Sequence, residues 1–223
     1  MALALTNLNL APHTTPSHPR HSSLAVVLVR RAIDARNAGW AALPDAGKAR
    51  VRQALWRAFT SPGAGAVLRP LAHAVAKASE GWTDLLPALV QLLGAADTAD
   101  AADAVAGRQV AVFFLLEQMA EFSPELKQGA GSVAGVFATA LAPAMAPAVQ
   151  VAAVKAWLAL LTNLQTDHLL SQKGGASASS VQLSPGAEAL APLAPLALQA
   201  VAALLAREGE VGGGRGAVWW GVL

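Results

Sequence analysis

The stretch Arg108–Gln128, RQVAVFFLLEQMAEFSPELKQ, contains the two signals that decide the fold. The first is an apolar helical face, since four large side chains follow the i, i+3, i+4, i+7 spacing of an α-helix: Val112, Leu115, Leu116 and Met119. Phe113 and Phe114 add apolar surface on the other sides of the same helix. The pattern predicts a helix over about 102–121 that is wedged between neighbouring helices.

The second signal is a helix start at Ser123-Pro124-Glu125. Serine can cap a helix, proline suits the first helical position, and glutamate is favoured at the positive end of the helix dipole. We expect this helix to run to about Leu141, followed by a partner from Ala148 to Gln165. The partner's inward side chains are predicted to be Val154, Trp157, Leu158, Leu161 and Leu164.

The same two-helix pattern recurs on the N-terminal side. Helices are predicted at 23–36, 45–60, 64–79 and from about residue 83. First helices of successive pairs thus begin near 45, 83 and 124, a step of about 40 residues that is typical of HEAT and armadillo repeats. The sequence predicts an all-α, HEAT-like helical-repeat solenoid, a right-handed superhelix of antiparallel helix pairs. An ordinary helical bundle is the alternative.

This pattern divides the chain into five predicted segments. They are a disordered N-terminal segment at 1–22, HEAT-like repeats at 23–165, a flexible low-complexity insertion at 166–186, a further repeat helix at 187–206 and a disordered tail at 207–223. The first and last of the predicted helices each lack one partner. We therefore expect apolar surface at both ends of the array, and a chain that is a fragment of a longer repeat protein.

Composition narrows the function classes. The chain is 54% hydrophobic but only 5% aromatic, and alanine, the best helix former, is its commonest residue. It contains no cysteine, which excludes disulfides, thiolate zinc sites and cysteine nucleophiles. Residues 1–80 carry a net charge of +7 and the remainder −5. We interpret the basic side chains as solvated helix faces and predict no nucleic-acid partner, since the basic helix at 45–60 offers no aromatic for stacking beyond Trp56.

Two uncharged stretches reach the length of a membrane span, Val133–Val154 and Ala189–Ala206. Their apolarity is mostly alanine and both contain prolines, and the first is predicted to be two helices with a break at 142–147. We therefore expect no membrane partner. An alanine-rich organelle or membrane-associated protein remains an alternative.

The sequence contains no recognisable catalytic constellation. His13, His18 and His21 form a cluster in a Pro-rich segment with no preformed geometry, and His168 beside Asp167 has no serine partner specified by the sequence. His73 is expected to flank a helix contact or make an inter-helix hydrogen bond. We predict a protein that is not an enzyme, with no catalytic residues, no metal site and no cofactor.

Three stretches resemble importin-beta (karyopherin-beta) receptors of the importin-five, or Ran-binding-protein-five, type. They are SLAVVLVRRAIDARNAGWAALP at 23–44, GWTDLLPALVQLL at 81–93, and the pair RQVAVFFLLEQMAEFSPELKQ and VQVAAVKAWLALLTNL at 108–128 and 149–164. The matching order covers about residues 23–165. The earliest repeats, which the family uses to bind Ran-GTP, are truncated or missing in this chain.

The resemblance implies a nuclear transport receptor that acts by binding proteins in the cytoplasm and the nucleus. Implied partners are cargo proteins with basic import signals, the Ran GTPase and nucleoporins. Second helices line the concave surface in this family, so Glu117 and Glu121, four residues apart on such a helix, are the candidate partner-binding residues. A generic HEAT or armadillo scaffold, or a regulatory subunit, is the alternative function.

Overall fold

The computed structural model describes residues 19–33, 38–61, 67–94, 102–171 and 183–211. Within those residues 87% are helical and none is in a strand, which confirms the all-α class. Of the segments predicted to be disordered at 1–22 and 207–223, residues 1–18 and 212–223 lie outside the described residues, as do residues 172–182 of the predicted insertion. Residues 19–22 and 207–211, in contrast, belong to the first and last helices, so the prediction of disorder is wrong for them.

Eleven helices are described, with a 3₁₀ turn at Ala191–Leu193 before the last. They are α1 (Pro19–Ile33), α2 (Ala38–Ala41), α3 (Asp45–Thr60), α4 (Leu68–Ala78), α5 (Leu85–Gly94), α6 (Ala102–Phe122), α7 (Pro124–Gln128), α8 (Ala130–Ala140), α9 (Pro147–Ser171), α10 (Pro185–Leu190) and α11 (Ala194–Val211).

The helices pair along the chain and form a continuous row. Helices α3 and α4, α5 and α6, and α8 and α9 contact each other as consecutive pairs. The second helices of these pairs, α4, α6 and α9, also contact one another in order. Helix α1 contacts α4 and α11 contacts α9, so these two helices extend the row at its ends and are counted as second helices. The first helices α5 and α8 contact each other, and α10 extends their row through its contact with α8. Helices α3, α5 and α7 begin at residues 45, 85 and 124. The starts are therefore about 40 residues apart, as the sequence pattern predicts.

Helix α6 lies at the centre of the core, in contact with α4, α5 and α9. Its predicted inward residues Val112, Leu115, Leu116 and Met119 are all buried. Phe113 is buried as well, with its ring 5.5 Å from that of Phe137 on α8, whereas Phe114 is only half-buried. The prediction of a helix that is buried on most sides is therefore confirmed for its middle turns.

The predicted helix start at Ser123 is confirmed, but the helix after it is shorter than predicted. The hydroxyl of Ser123 accepts a hydrogen bond from the Leu126 amide at 3.2 Å, with Pro124 in the first helical position. Helix α7 ends at Gln128 and α8 begins at Ala130, with Gly129 as the cap residue of both. A side chain at Gly129 would place its Cβ 2.8 Å from Leu86 Cδ2. Glycine at position 129 therefore allows α5 to approach this point of the chain closely. Its low helix propensity also favours the break between α7 and α8 there.

The prediction of a single helix at 187–206 is wrong. Two helices, α10 and α11, are separated there by the 3₁₀ turn at Ala191–Leu193. Pro192 and Pro195 lack the amide hydrogens that would continue the helical hydrogen bonds across this point. Helix α11 contacts α9, the second helix of the preceding pair. It is therefore the second helix of the last pair, the partner of α10 that the sequence pattern did not reveal.

Two boundaries of the predicted insertion at 166–186 also differ. Helix α9 continues to Ser171, six residues beyond the predicted end at Gln165. Helix α10 begins at Pro185, where the Ser184 hydroxyl accepts a hydrogen bond from the Ala187 amide at 3.1 Å. The salt bridge between Lys127 Nζ and Asp167 Oδ2, 2.7 Å long, ties the extended end of α9 to α7.

The predicted inward face of α9 is wrong in part. Trp157 and Leu164 are buried as predicted, and Val154 and Leu161 are partly buried. Leu158, in contrast, is 54% exposed, and Leu160 is buried in its place. The helix contacts α6, α8, α10 and α11, and these neighbours select the buried face from a run of apolar residues on all sides.

Two helical segments are long and apolar enough to cross a membrane when judged by length and composition only, Pro147–Leu169 and Pro185–Arg207. The first is α9, of which a third of the apolar window is buried among its neighbours. The uncharged stretch at 133–154 is two helices with a break at 141–146, as predicted. The exposed apolar residues of α11 are Leu198, Val201 and Leu205.

The turn from α4 to α5 is held by one arginine of α3. Arg52 Nε donates a hydrogen bond to the Ala78 carbonyl at 3.0 Å, and its terminal nitrogens donate to the carbonyls of Glu80 and Gly81. Gly81 has a φ of 69°, which non-glycine residues rarely adopt. Its amide donates to Glu125 Oε1 at 2.7 Å, so the same turn is also tied to the start of α7.

Candidate partner-binding face

Ten side chains of four second helices form a mixed polar and aromatic surface, which we call the second-helix face. They are Arg30 of α1, Arg69, His73 and Lys77 of α4, Phe114, Glu117, Gln118, Glu121 and Phe122 of α6, and Lys155 of α9. Residues four apart on a helix lie on the same side, so the three side chains from α4 form one stripe and those from α6 form a neighbouring one. Contacts of α4 with α1 and α6, and of α6 with α9, bring the stripes together.

Cations cover the aromatic rings of this face. Lys77 Nζ lies 3.9 Å from the centroid of the Phe122 ring, and Arg69 Cζ lies 5.7 Å from that of Phe114. The ring of His73 meets Phe114 edge-on, with centroids 5.1 Å apart. Cation–π contacts of this kind fix the cationic heads at the surface between α4 and α6.

A cavity of about 150 Å³ opens on this face between α1, α4 and α6. Its lining residues are Arg30, His73, Ala76, Lys77, Gln118, Glu121 and Phe122. The wall is therefore part aromatic and part charged, with two permanent cations and one carboxylate. Such a site suits non-covalent capture of a side chain from a partner.

His73 lies in a positive local environment. Burial lowers its pKa below the usual histidine value, and the charges of Arg30 and Lys77 lower it further. All three effects disfavour a third cation beside the two already present. His73 therefore remains neutral at neutral pH, and its expected role beside a helix contact is met by the Phe114 ring.

The two predicted partner-binding glutamates have different surroundings. Glu117 is half-buried, and burial raises its pKa although Lys155 and Arg69 act in the opposite direction. Glu121 is exposed and lines the cavity beside Arg30 and Lys77. The structure thus places both carboxylates on the same face, but each carboxylate lies near two cations.

Replacing Glu117 with glutamine is expected to increase the free energy of unfolding at pH 7. A raised pKa means that the folded protein holds the proton more tightly than the unfolded chain, so wild-type stability falls as pH rises from below the ordinary glutamate pKa through the folded value. Glutamine removes that loss, and the two proteins should converge near pH 3, where both side chains are neutral. Urea unfolding across this pH range measures the effect.

The matched control is Glu121→Gln, which removes the same charge from an exposed position. It should change stability by no more than about 0.5 kcal/mol. A Glu117→Gln protein that is less stable than the wild type at pH 7 would contradict the account, because it would mean that Lys155 and Arg69 stabilise the carboxylate by more than burial penalises it.

The structure describes only some of the other candidate residues from the sequence. His13, His18 and the side chain of His21 lie outside the described part, and within the described part no group of three His, Asp or Glu side chains could hold a metal ion. Asp167 forms a salt bridge with Lys127. Trp157 is buried and its Nε1 donates a hydrogen bond to the Leu190 carbonyl at 3.1 Å, so it joins α9 to α10.

Sequence reasoning missed the cationic part of the face. The signal was present in the spacing of Arg69, His73 and Lys77, which recur every four residues on one helix. Their importance depends on Phe114 and Phe122, which come from a helix some forty positions along the chain.

Comparison of the chain with protein-family models, with curated proteins and with solved structures finds no match.

Proposed function

We propose that this chain is a HEAT-like helical-repeat solenoid, a right-handed superhelix of antiparallel helix pairs, that binds other proteins through its second-helix face. The observation that carries this proposal is the continuous row of second helices α1, α4, α6, α9 and α11. In a repeat array each unit contacts only its neighbours, and the row of equivalent helices presents an extended binding surface.

The chemistry of the face also supports binding rather than catalysis. Arginine and aromatic side chains are enriched where proteins recognise one another. The second-helix face combines them with a cavity of about 150 Å³ that opens to solvent beside Phe122. Two of its cations, Arg69 and Lys77, are held by ring contacts, which reduces the entropy that binding through them would cost.

We propose nuclear import as the setting in which the scaffold acts, with the Ran GTPase, nucleoporins and cargo proteins as partners. The support is the resemblance to importin-beta receptors along residues 23–165, together with helix starts about 40 residues apart. Glu117 and Glu121 on α6 would be the contacts for a basic import signal in that setting.

A generic HEAT scaffold or regulatory subunit is the second candidate, and the charge of the face favours it. Four cations surround the two carboxylates on this surface: Arg30, Arg69, Lys77 and Lys155. An acceptor for basic import signals needs an excess of acidic groups. The second-helix face has the opposite balance.

A binding assay with the immobilised full chain distinguishes the two candidates. The ligands are Ran loaded with GTP, Ran loaded with GDP, and a basic import-signal peptide. Selective retention of Ran-GTP, or of the basic peptide, is the result expected of an import receptor. If a folded chain retains none of them, the import setting is wrong and the generic scaffold remains.

A further inference from the structure

We infer that the second-helix face binds an acidic peptide segment of a partner protein, with a large apolar side chain of that segment in the cavity beside Phe122. This inference rests on the proposed protein-binding function and specifies the chemistry of its partner. It reverses the charge of the partner that the sequence predicts, because the sequence reveals the two glutamates but not the cations that surround them.

The charge balance of the face favours an acidic partner. Of its ionisable side chains, Arg30, Arg69, Lys77 and Lys155 are cationic, while Glu117 and Glu121 are the carboxylates. His73 adds no charge at neutral pH, since burial and its two cationic neighbours lower its pKa. The face therefore has a net charge of about +2 at neutral pH, which attracts an acidic segment.

The surroundings of the two carboxylates favour the same partner. Glu117 is half-buried, and Lys155 and Arg69 are near enough to favour its charged form, so its charge is partly offset by groups of this chain. Glu121 is exposed, but it shares the cavity with Arg30 and Lys77. A basic peptide would bring further cations against Arg30 and Lys77. An acidic peptide would instead bring carboxylates of opposite charge to these two side chains.

The cavity supplies a place for one anchor side chain, with Phe122 and Ala76 as its apolar wall and five polar or charged residues around the rest. Its volume of about 150 Å³ matches a single aromatic ring, and Phe122 and Ala76 form part of its wall. Lys77 Nζ lies 3.9 Å from the Phe122 centroid at this wall. An apolar anchor with flanking acidic residues would therefore contact the ring and the cations together.

Nucleic acid fits the same face less well. A nucleic-acid strand presents a phosphate charge at every nucleotide, and these charges would meet Glu117 and Glu121 between the cations. Single strands also bind by stacking bases on open aromatic faces. The Phe114 and Phe122 rings each already carry a cation over one face, so neither offers an unobstructed stacking platform, whereas a single anchor side chain needs only the part of Phe122 that lines the cavity.

The test uses the full chain and two rhodamine-labelled peptides of equal length, one of Asp, Glu, Phe and Gly, the other with Lys and Arg in place of the acids. Fluorescence anisotropy measures binding of each peptide, and of a labelled single-stranded oligonucleotide, at physiological salt. The decisive variant is Glu121→Lys, because the acidic and basic alternatives predict opposite signs for it. Glu121 is exposed, so the variant should fold, and circular dichroism checks that it does.

We expect the acidic peptide to bind wild type, and Glu121→Lys to tighten that binding by roughly two- to fivefold, the effect of one partly exposed charge pair. Lys77→Gln should weaken it by a similar factor. Arg50→Gln removes the same charge from the exposed side of α3, outside the face, and should leave affinity unchanged.

Three results would overturn the inference. If the basic peptide binds and Glu121→Lys weakens that binding, the partner is basic and only the protein-binding function stands. If the folded chain binds neither peptide, this inference fails, whereas the proposed protein-binding function is tested separately by the assay with Ran and the import-signal peptide. If the oligonucleotide binds more tightly than the acidic peptide and responds to Lys77→Gln, the face is a nucleic-acid site.

Discussion

The Phe113→Ala substitution is expected to lower the free energy of unfolding by about 3–5 kcal/mol, the usual cost of emptying a phenylalanine site in a core. Phe113 is 1% exposed on α6, the helix that contacts α4, α5 and α9. Its ring lies 5.5 Å from that of Phe137, so its loss leaves a cavity between α6 and α8. Urea unfolding monitored by circular dichroism measures the change.

Leu158→Ala is the control for this prediction. Leu158 also lies in an apolar run on a central helix, but it is 54% exposed. Its substitution should change the free energy of unfolding by no more than about 0.5 kcal/mol, as for most surface positions. Equal losses for the two substitutions would mean that α9 presents a different face to its neighbours and that the described core is incorrect.

Replacing Arg52 with alanine is expected to cost about 1.5–3 kcal/mol of unfolding free energy, the range for hydrogen bonds that involve a charged group. Its guanidinium donates to the carbonyls of Ala78, Glu80 and Gly81 at the end of α4 and lies 6.0 Å from the Trp82 ring. These carbonyls have no helical partners of their own, and the positive charge is also favoured at the C-terminal end of a helix. Thermal and urea unfolding measure the loss.

Two further substitutions make this result specific. Arg57→Ala removes an exposed arginine from the same helix and should have little effect. Arg52→Lys should recover only part of the stability, since a lysine cannot contact three carbonyls with one planar fork. If Arg52→Ala and Arg57→Ala are equally mild, the three hydrogen bonds do not stabilise the turn.

Helix order and spacing could be predicted from the sequence because local signals encode them. The Ser-Pro start at 123–124 is a capping signal, and the apolar stripe of α6 is a helical repeat of large side chains. Both are visible in the local sequence without knowing which helices pack beside them. The same Ser-Pro signal opens α10 at 184–185, although the low-complexity stretch before it favours a flexible insertion through residue 186. The break between α10 and α11 has its own local cause in Pro192 and Pro195.

Faces and site chemistry could not be predicted in the same way. Residues Trp157–Leu161 are all apolar, so only contacts with α6, α8, α10 and α11 decide that Leu160 is buried and Leu158 exposed. The glutamates of α6 could be found from their spacing, but the cations near them come from other helices. Charge balance on a surface is a property of the packed helices, which no single helix specifies.

The measurement that tests the solenoid most directly is the distance between its two ends. The chain has no cysteine, so spin labels can be attached at Leu28→Cys on α1 and Leu198→Cys on α11, both at exposed positions. Four steps between neighbouring helices, each of about 8–10 Å, predict a separation of roughly 32–40 Å by pulsed electron spin resonance. A separation below about 20 Å, roughly two such steps, would show that the row closes on itself as a bundle and would contradict an open array of helical hairpins.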